Sequence, residues 1–365
     1  MRSVIRNYKM FCVLLLLLAC AVFCLLAFNY KIHSPAEAVH SYIIWFRLRF
    51  GELLHTGIAL RKDELISQVD DYGQLIKQVR VAALIFLCGV MMALSGTIFQ
   101  SVFRNPMAAP TMLGVNTGVQ AGIMLLVVQY GAAAEYMMGL KYVYCYIGAG
   151  LMLGAVLIVG KISSGRKRMS VFDLILVASI LSGMVSAVIS NKQLTMDNDE
   201  ALLIQQISSV LDPDVSARAF AFLGIAAAIS IIPMILLRFS FNAVSFENDD
   251  SRSMGINVYI MKFLTLIFGT IMITAAMIHC GTAGMISLIA PFAGRKLFGA
   301  NFKKNFFPTM MIGGAVLLAC KGAVGLIPYG DQGMPLGTMV NFVMLPFFVL
   351  IMANMKGVKQ AWLDE

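Results

Sequence analysis

Apolar residues in this chain come in runs of about 20 separated by short polar gaps, with neither strand-like alternation nor a narrow helical stripe. Read at the length that crosses a hydrocarbon core, the pattern predicts ten helices: 11–29, 81–101, 112–130, 142–160, 171–190, 218–238, 257–278, 282–298, 306–327 and 335–355. The eighth is the weakest, because Pro291, Gly294 and Arg295 interrupt it. The expected fold is therefore an all-α polytopic membrane protein, one transmembrane domain over 1–365. The first run follows Arg2, Arg6 and Lys9, as the core of a signal peptide would. It is longer than such a core, and no small-x-small cleavage site precedes Asn29-Tyr30-Lys31, so a retained helix is expected. The long gap at 30–80 mixes charges with Ile43-Ile44-Trp45-Phe46, Leu53 and Leu54. An interfacial amphipathic helix and a solvated loop both fit it.

Composition agrees with a chain whose outside meets lipid. Hydrophobic residues are 59%, mean hydropathy is +0.82, and charged residues are 13%, where a soluble domain carries about 25%. The 31 glycines suit close helix packing in lipid, where no hydrophobic drive brings helices together. The net charge of +9 changes the picture only through its distribution. One alternating set of termini and gaps holds Arg2, Arg6 and Lys9, then Arg104, then Lys161 and Arg166-Lys167-Arg168. It continues with Arg238 and Arg252, then Arg295, Lys296, Lys303 and Lys304, then Lys356 and Lys359. The other set holds Glu135, Lys141, Lys192, Asp197, Asp199, Glu200, Asp212, Asp214 and Asp331. The positive-inside rule makes the first set cytoplasmic, which puts both termini inside with ten spans. No basic patch is interleaved with aromatics, so nucleic acid is not an expected partner. The seven cysteines lie in or beside apolar segments without metal-ligand spacing, and read as small packing residues.

One stretch has mechanical content. Between Ala93 and Gly122, Gly and Pro gather where a helix should end, with polar Gln100, Asn105, Asn116 and Thr117 at or near membrane depth. Irregular backbone there is tolerated when protein buries it or water lines it, and polar side chains there tend to mark a pathway. A short re-entrant turn joining two helices accounts for the same residues equally well.

Ser95-Gly96, Gln100, Arg104-Asn105-Pro106, Pro110 and Leu113-Gly114-Val115 with Gly118 resemble the signature of the FecCD-type permeases, importers of iron-siderophores, haem or cobalamin. The spacing matches throughout, with Met107 for the usual Leu and Ala109 for the usual acidic residue. Further segments resemble the family in order: Ser251-Arg252 with Gly255, Gly281-Thr282-Ala283-Gly284 through Pro291 and Arg295, Met334-Pro335-Leu336-Gly337, and Pro346-Phe347-Phe348. The resemblance covers about 75–355 and implies a ten-helix permease fold in a bacterial plasma membrane. It implies a translocation pathway near Gln100, Asn105, Pro106, Gly114, Asn116 and Thr117. It also implies ATPase coupling through the cytoplasmic gap 239–256, at Asp249, Asp250, Ser251, Arg252 and Gly255. In that gap the Asn248-Asp249-Asp250 run can cap a short helix and Gly255 can end it. The implied partners are ABC ATPase subunits, a second permease subunit, an extracytoplasmic substrate-binding protein and a metal chelate, most simply iron(III)-siderophore.

The sequence also departs from the family. Its arginine-rich start of the second span is here Lys77-Gln78-Val79-Arg80, and Leu326 stands about where an outer Arg is usual. Lys77 and Arg80 remain as candidates for docking the binding protein. Phe292 replaces the usual His and Ser287 a Gly.

The chain carries no GxxxxGK[ST] phosphate loop, HExxH or paired-carboxylate arrangement. It reads as a transport subunit rather than an enzyme, with no cofactor and no metal site of its own. His33, His40, His55 and His279 do not cluster, and His279 reads as an interfacial polar residue. Few charges lie inside the spans; Asp173 and Lys321 are the notable ones. An ion-gradient-driven secondary transporter, which usually keeps coupling carboxylates there, is the competing reading, and a non-transporting scaffold is a third.

Overall fold

The computed structural model describes residues 20, 72–164, 171–209, 217–244, 256–299, 301–326 and 334–353. Among them no strand occurs. The helices in chain order are α1 (Tyr72–Phe103), α2 (Val115–Tyr130), α3 (Met138–Ser164), α4 (Val171–Leu194), α5 (Asn198–Ser209), α6 (Ala217–Leu236), α7 (Arg238–Val244), α8 (Val258–Cys280), α9 (Ile286–Phe298), α10 (Phe302–Leu326) and α11 (Leu336–Ala353). Seven of these, α1 to α4 with α6, α8 and α10, are long and apolar enough to cross a membrane; Leu336–Leu350 of α11 is a shorter apolar stretch. The expected span over 11–29 lies outside the described residues apart from Cys20.

Helix α1 is the hub. It packs most extensively on α10 and α8 and also on α9, while α2 pairs with α3. Missing side chains bring these helices together. A Cβ on Gly89 would stand 2.5 Å from the Gly313 carbonyl oxygen, and one on Gly118 2.5 Å from that of Gly148. At Gly96 the Ser287 carbonyl already occupies the place of a Cβ. Backbones this close gain dispersion contacts, which lipid cannot match on a rough helix surface. Hydroxyls buried in the hub are satisfied within their own helices: Thr97 donates to the Ala93 carbonyl and Ser101 to that of Thr97, both at 2.8 Å.

Four differences from the expected elements follow from local physics. Helix α1 begins at Tyr72, nine residues before 81, so Lys77 and Arg80 stand on a helix rather than in a gap. In the expected span 282–298 the helix is the 13-residue α9, which starts at Ile286. The first residues of that span form a turn after Gly281, whose φ of 65° needs glycine. Helix α5 was not expected: Asn198, Asp199 and Glu200 suit its positive N-terminal end, and Ile204 and Ile207 are buried. Finally, the gap 239–256 begins as α7, while 245–255 lie outside the described residues.

Candidate functional site: an uncharged cavity on the lightly packed face

Two cleft regions meet between α2, α4, α5, α11 and the turn from α8 to α9. Their position starts with the break after α1. Arg104 takes a left-handed φ of 49°, and Asn105 then organises the turn. The Asn105 Oδ1 accepts from the Met107 N–H at 2.9 Å and its carbonyl from the Ala108 N–H at 3.0 Å. Pro110 opens a 3-10 turn through Leu113, and Gly114 at φ 76° resets the chain into α2. This puts Asn116 and Gln120, one helical turn apart, on the same side of α2.

The larger cavity measures about 810 Å³. Ser186, Ser190 and Gln193 of α4 line it with Asn198 of α5, Gln120, Thr282 and Thr338, and Ile189, Leu202 and Ile204 supply apolar wall. A second cavity of about 370 Å³ is lined by Asn116, Gln120, Thr282, Asn341, Met277, Met285, Leu288 and Phe348, among others. Gln120 and Thr282 belong to both. None of the described lining residues is charged. Amides and hydroxyls can exchange hydrogen bonds with a polar ligand without the fixed charge that would trap it.

Backbone contacts frame this junction. Gly337 at the start of α11 lies against Thr282, where a Cβ would stand 2.8 Å from the threonine Oγ1 and 2.9 Å from its nitrogen. Helix α5 is tied down by Lys141 of α3, whose Nζ donates to the Ile207 carbonyl at 2.9 Å. That carbonyl is in the last turn of α5, where backbone acceptors lack helical partners and attract a cation.

Of the residues expected along a pathway, Asn116 lines the second cavity. Gln100 is fully buried, and its Nε2 donates to the Leu288 carbonyl at 2.9 Å, so it stands one layer behind the lining. Asn105, Pro106 and Gly114 build the turn that aims α2, and Thr117 is buried in that helix. Lys77 and Arg80 are exposed on the first turns of α1. Asp249, Asp250, Ser251, Arg252 and Gly255 lie outside the described residues. Arg104 is fastened to the end of α7, its Nε donating to the Val244 carbonyl at 3.0 Å. His279, at the end of α8, is buried and hydrogen-bonded to the Tyr142 hydroxyl. Cys88, Cys145, Cys280 and Cys320 are buried free thiols. Sequence reading missed Gln120, Thr282, Asn341 and the α4 side chains. A signal was present: Ser186, Ser190 and Gln193 recur at four and three residues, a polar line along an apolar helix.

The FecCD transport family model matches residues 44–354. The "Probable iron chelatin transport system permease protein" of Helicobacter pylori (strain ATCC 700392 / 26695) is 27% identical over 289 residues, 78% of this chain and 84% of that protein. The "Molybdate import system permease protein MolB" of Haemophilus influenzae is 25% identical over 78% of this chain and 82% of its own length. A solved inward-facing conformation of a "metal-chelate type ABC transporter" superposes with a TM-score of 0.72 at 18% identity, covering 95% of this chain and 99% of that one.

Proposed function

Because this chain belongs to the FecCD transport family, we propose that it is the membrane-spanning permease of an importer that carries a metal chelate, iron(III)-siderophore foremost, across a bacterial plasma membrane. Separate ABC ATPase subunits supply the energy, and an extracytoplasmic binding protein docks at Lys77 and Arg80 to deliver the ligand. The observation that carries this reading is the uncharged double cavity joined at Gln120 and Thr282. Cavities of about 300–1,000 Å³ suit ligands of drug size, so the 810 Å³ chamber favours a bulky chelate over a small oxyanion such as molybdate. Its neutral lining favours passage over retention. A second permease subunit, the same chain or a homologue, closes the open side formed by α4 and α11. Ten spans with both termini cytoplasmic, and coupling through Asp249, Asp250, Ser251, Arg252 and Gly255, complete the proposal.

The test is uptake of radioactive iron(III)-siderophore into proteoliposomes holding this chain, its ATPase and its binding protein. Accumulation requires ATP and stops when the ATPase is inactivated. Uptake that follows a proton or sodium gradient and ignores ATP makes the chain a secondary transporter instead.

A further inference from the structure

Along α6, Phe222, Ile225, Ile229, Ile232 and Leu236 follow one another at steps of three and four residues, and each is exposed. That spacing is one helical face, and an apolar face of this length at a membrane span meets acyl chains. The stripe continues past the end of the helix. The chain passes through a turn at Leu237 into α7, with one helical hydrogen bond on each side of it: the Leu237 N–H donates to Pro233 O at 2.8 Å and that of Phe241 to Leu237 O at 3.0 Å. Phe239, 66% exposed, takes the next three-residue step.

Two cations converge on this last ring of the stripe. The Arg238 guanidinium carbon lies 5.4 Å from the Phe239 centroid, and the Lys303 ammonium, from the first turn of α10, lies 5.8 Å away. The packing beneath holds them together. Phe241 is buried and stacked on Phe302, and the Asn242 Oδ1 accepts from the Phe302 N–H at 3.1 Å, so α7 is fastened to the residue beside Lys303. Both cations are exposed, and among the described residues no carboxylate pairs with either. Two like charges held at one aromatic ring, where an apolar face ends, are complementary to an anion that arrives with an apolar tail.

We propose that Arg238 and Lys303, flanking Phe239, bind the phosphodiester headgroup of an anionic membrane phospholipid whose acyl chains lie along the α6 stripe. An acidic surface of an ATPase subunit would also attract these cations. The alignment of Phe239 with the lipid-facing stripe favours the lipid, because it sets the pair on the flank of the bundle, at the level where helices leave hydrocarbon. The site goes beyond the transport reading and does not depend on it.

The assembled permease, extracted in mild detergent, is incubated with equal amounts of dioleoyl-phosphatidylglycerol and dioleoyl-phosphatidylcholine, and the retained lipids are measured by native mass spectrometry. The wild-type protein retains the anionic lipid about fivefold over the zwitterionic one. Arg238→Gln with Lys303→Gln brings the ratio to about one, whereas Arg238→Lys with Lys303→Arg keeps the preference and shows that the fold tolerates change there. Lys161→Gln, exposed at the end of α3, leaves the ratio unchanged. Equal retention of both lipids by the wild type, or an unaltered preference in the double Gln variant, overturns the site. Loss of copurifying ATPase with lipid retention intact assigns the cations to a protein partner and overturns it equally.

Discussion

Helices α1 and α4 have nearly the same mean hydropathy over their spans, 2.3 and 2.2, yet 83% of the first window is buried within the chain and 17% of the second. Hydropathy records that a helix has left water and is silent on what took the water's place. In α1, Gly89 and Gly96 admit the backbones of α10 and α9, so protein surrounds the helix. In α4, a Cβ on Gly183 would meet nothing within 4 Å, and Ile180, Met184 and Val188 point outward. The polar line Ser186, Ser190 and Gln193 also belongs to α4. The closely packed region is thus scaffold, and the sparsely packed one carries the cavity. Such a division suits a transporter, because the elements that move are drawn from the less stable end of a structure.

The strongest way to break this comparison is to place the same side chain on both helices. Gly96→Leu must displace the Ser287 carbonyl and the Pro291 ring, and is expected to cost about 3 kcal/mol or more. It should appear as loss of monodisperse protein in size-exclusion chromatography. Gly183→Leu should leave the monomeric chain within about 0.5 kcal/mol of wild type. Equal collapse of both variants would show that α4 is as enclosed as α1. Next in size, Lys141→Met removes the cation from the last turn of α5, with an expected loss of about 1.5–3 kcal/mol confined to that helix. Hydrogen exchange should quicken in α5 while protection in α1 is unchanged; uniform quickening would mean that α5 and the hub unfold together.

Gln120→Leu tests the cavity itself. Transport should fall about tenfold, the scale of one hydrogen bond lost to a passing ligand, while the melting temperature holds. Unchanged uptake would remove Gln120 from the pathway. The smallest effect belongs to Thr97→Val in the hub, whose hydroxyl bonds only its own helix. A shift below about 1 kcal/mol is expected, and a larger one would reveal an interhelical role for that side chain.

The break after α1 was legible because its causes are local. Asn105, Pro106, Pro110 and Gly114 each restrict backbone conformation within a few residues. Gln100 was legible as polar at membrane depth, but its direction was not: the carbonyl it reaches belongs to Leu288, 188 residues away. The same limit hid Thr282, which reads as the first residue of an apolar span until Gly337 of α11 is seen against it. The start of α9 was read at 282 instead of Ile286 because the apolar run over 282–298 includes a turn, and apolarity does not distinguish turn from helix.

Hydrophobic run length with glycine and proline punctuation marked this chain as a helical membrane protein, and the motif resemblance beginning at Ser95-Gly96 pointed to the FecCD family. These signals are set within a few turns of chain, where the bilayer demands that each segment satisfy its own backbone. Tertiary structure alone decided which apolar helices face protein and which stay open, and which polar side chains meet at Gln120 and Thr282. Those outcomes depend on small residues from distant segments fitting together, and lipid, as apolar as the helices, leaves packing as the quantity that selects among arrangements.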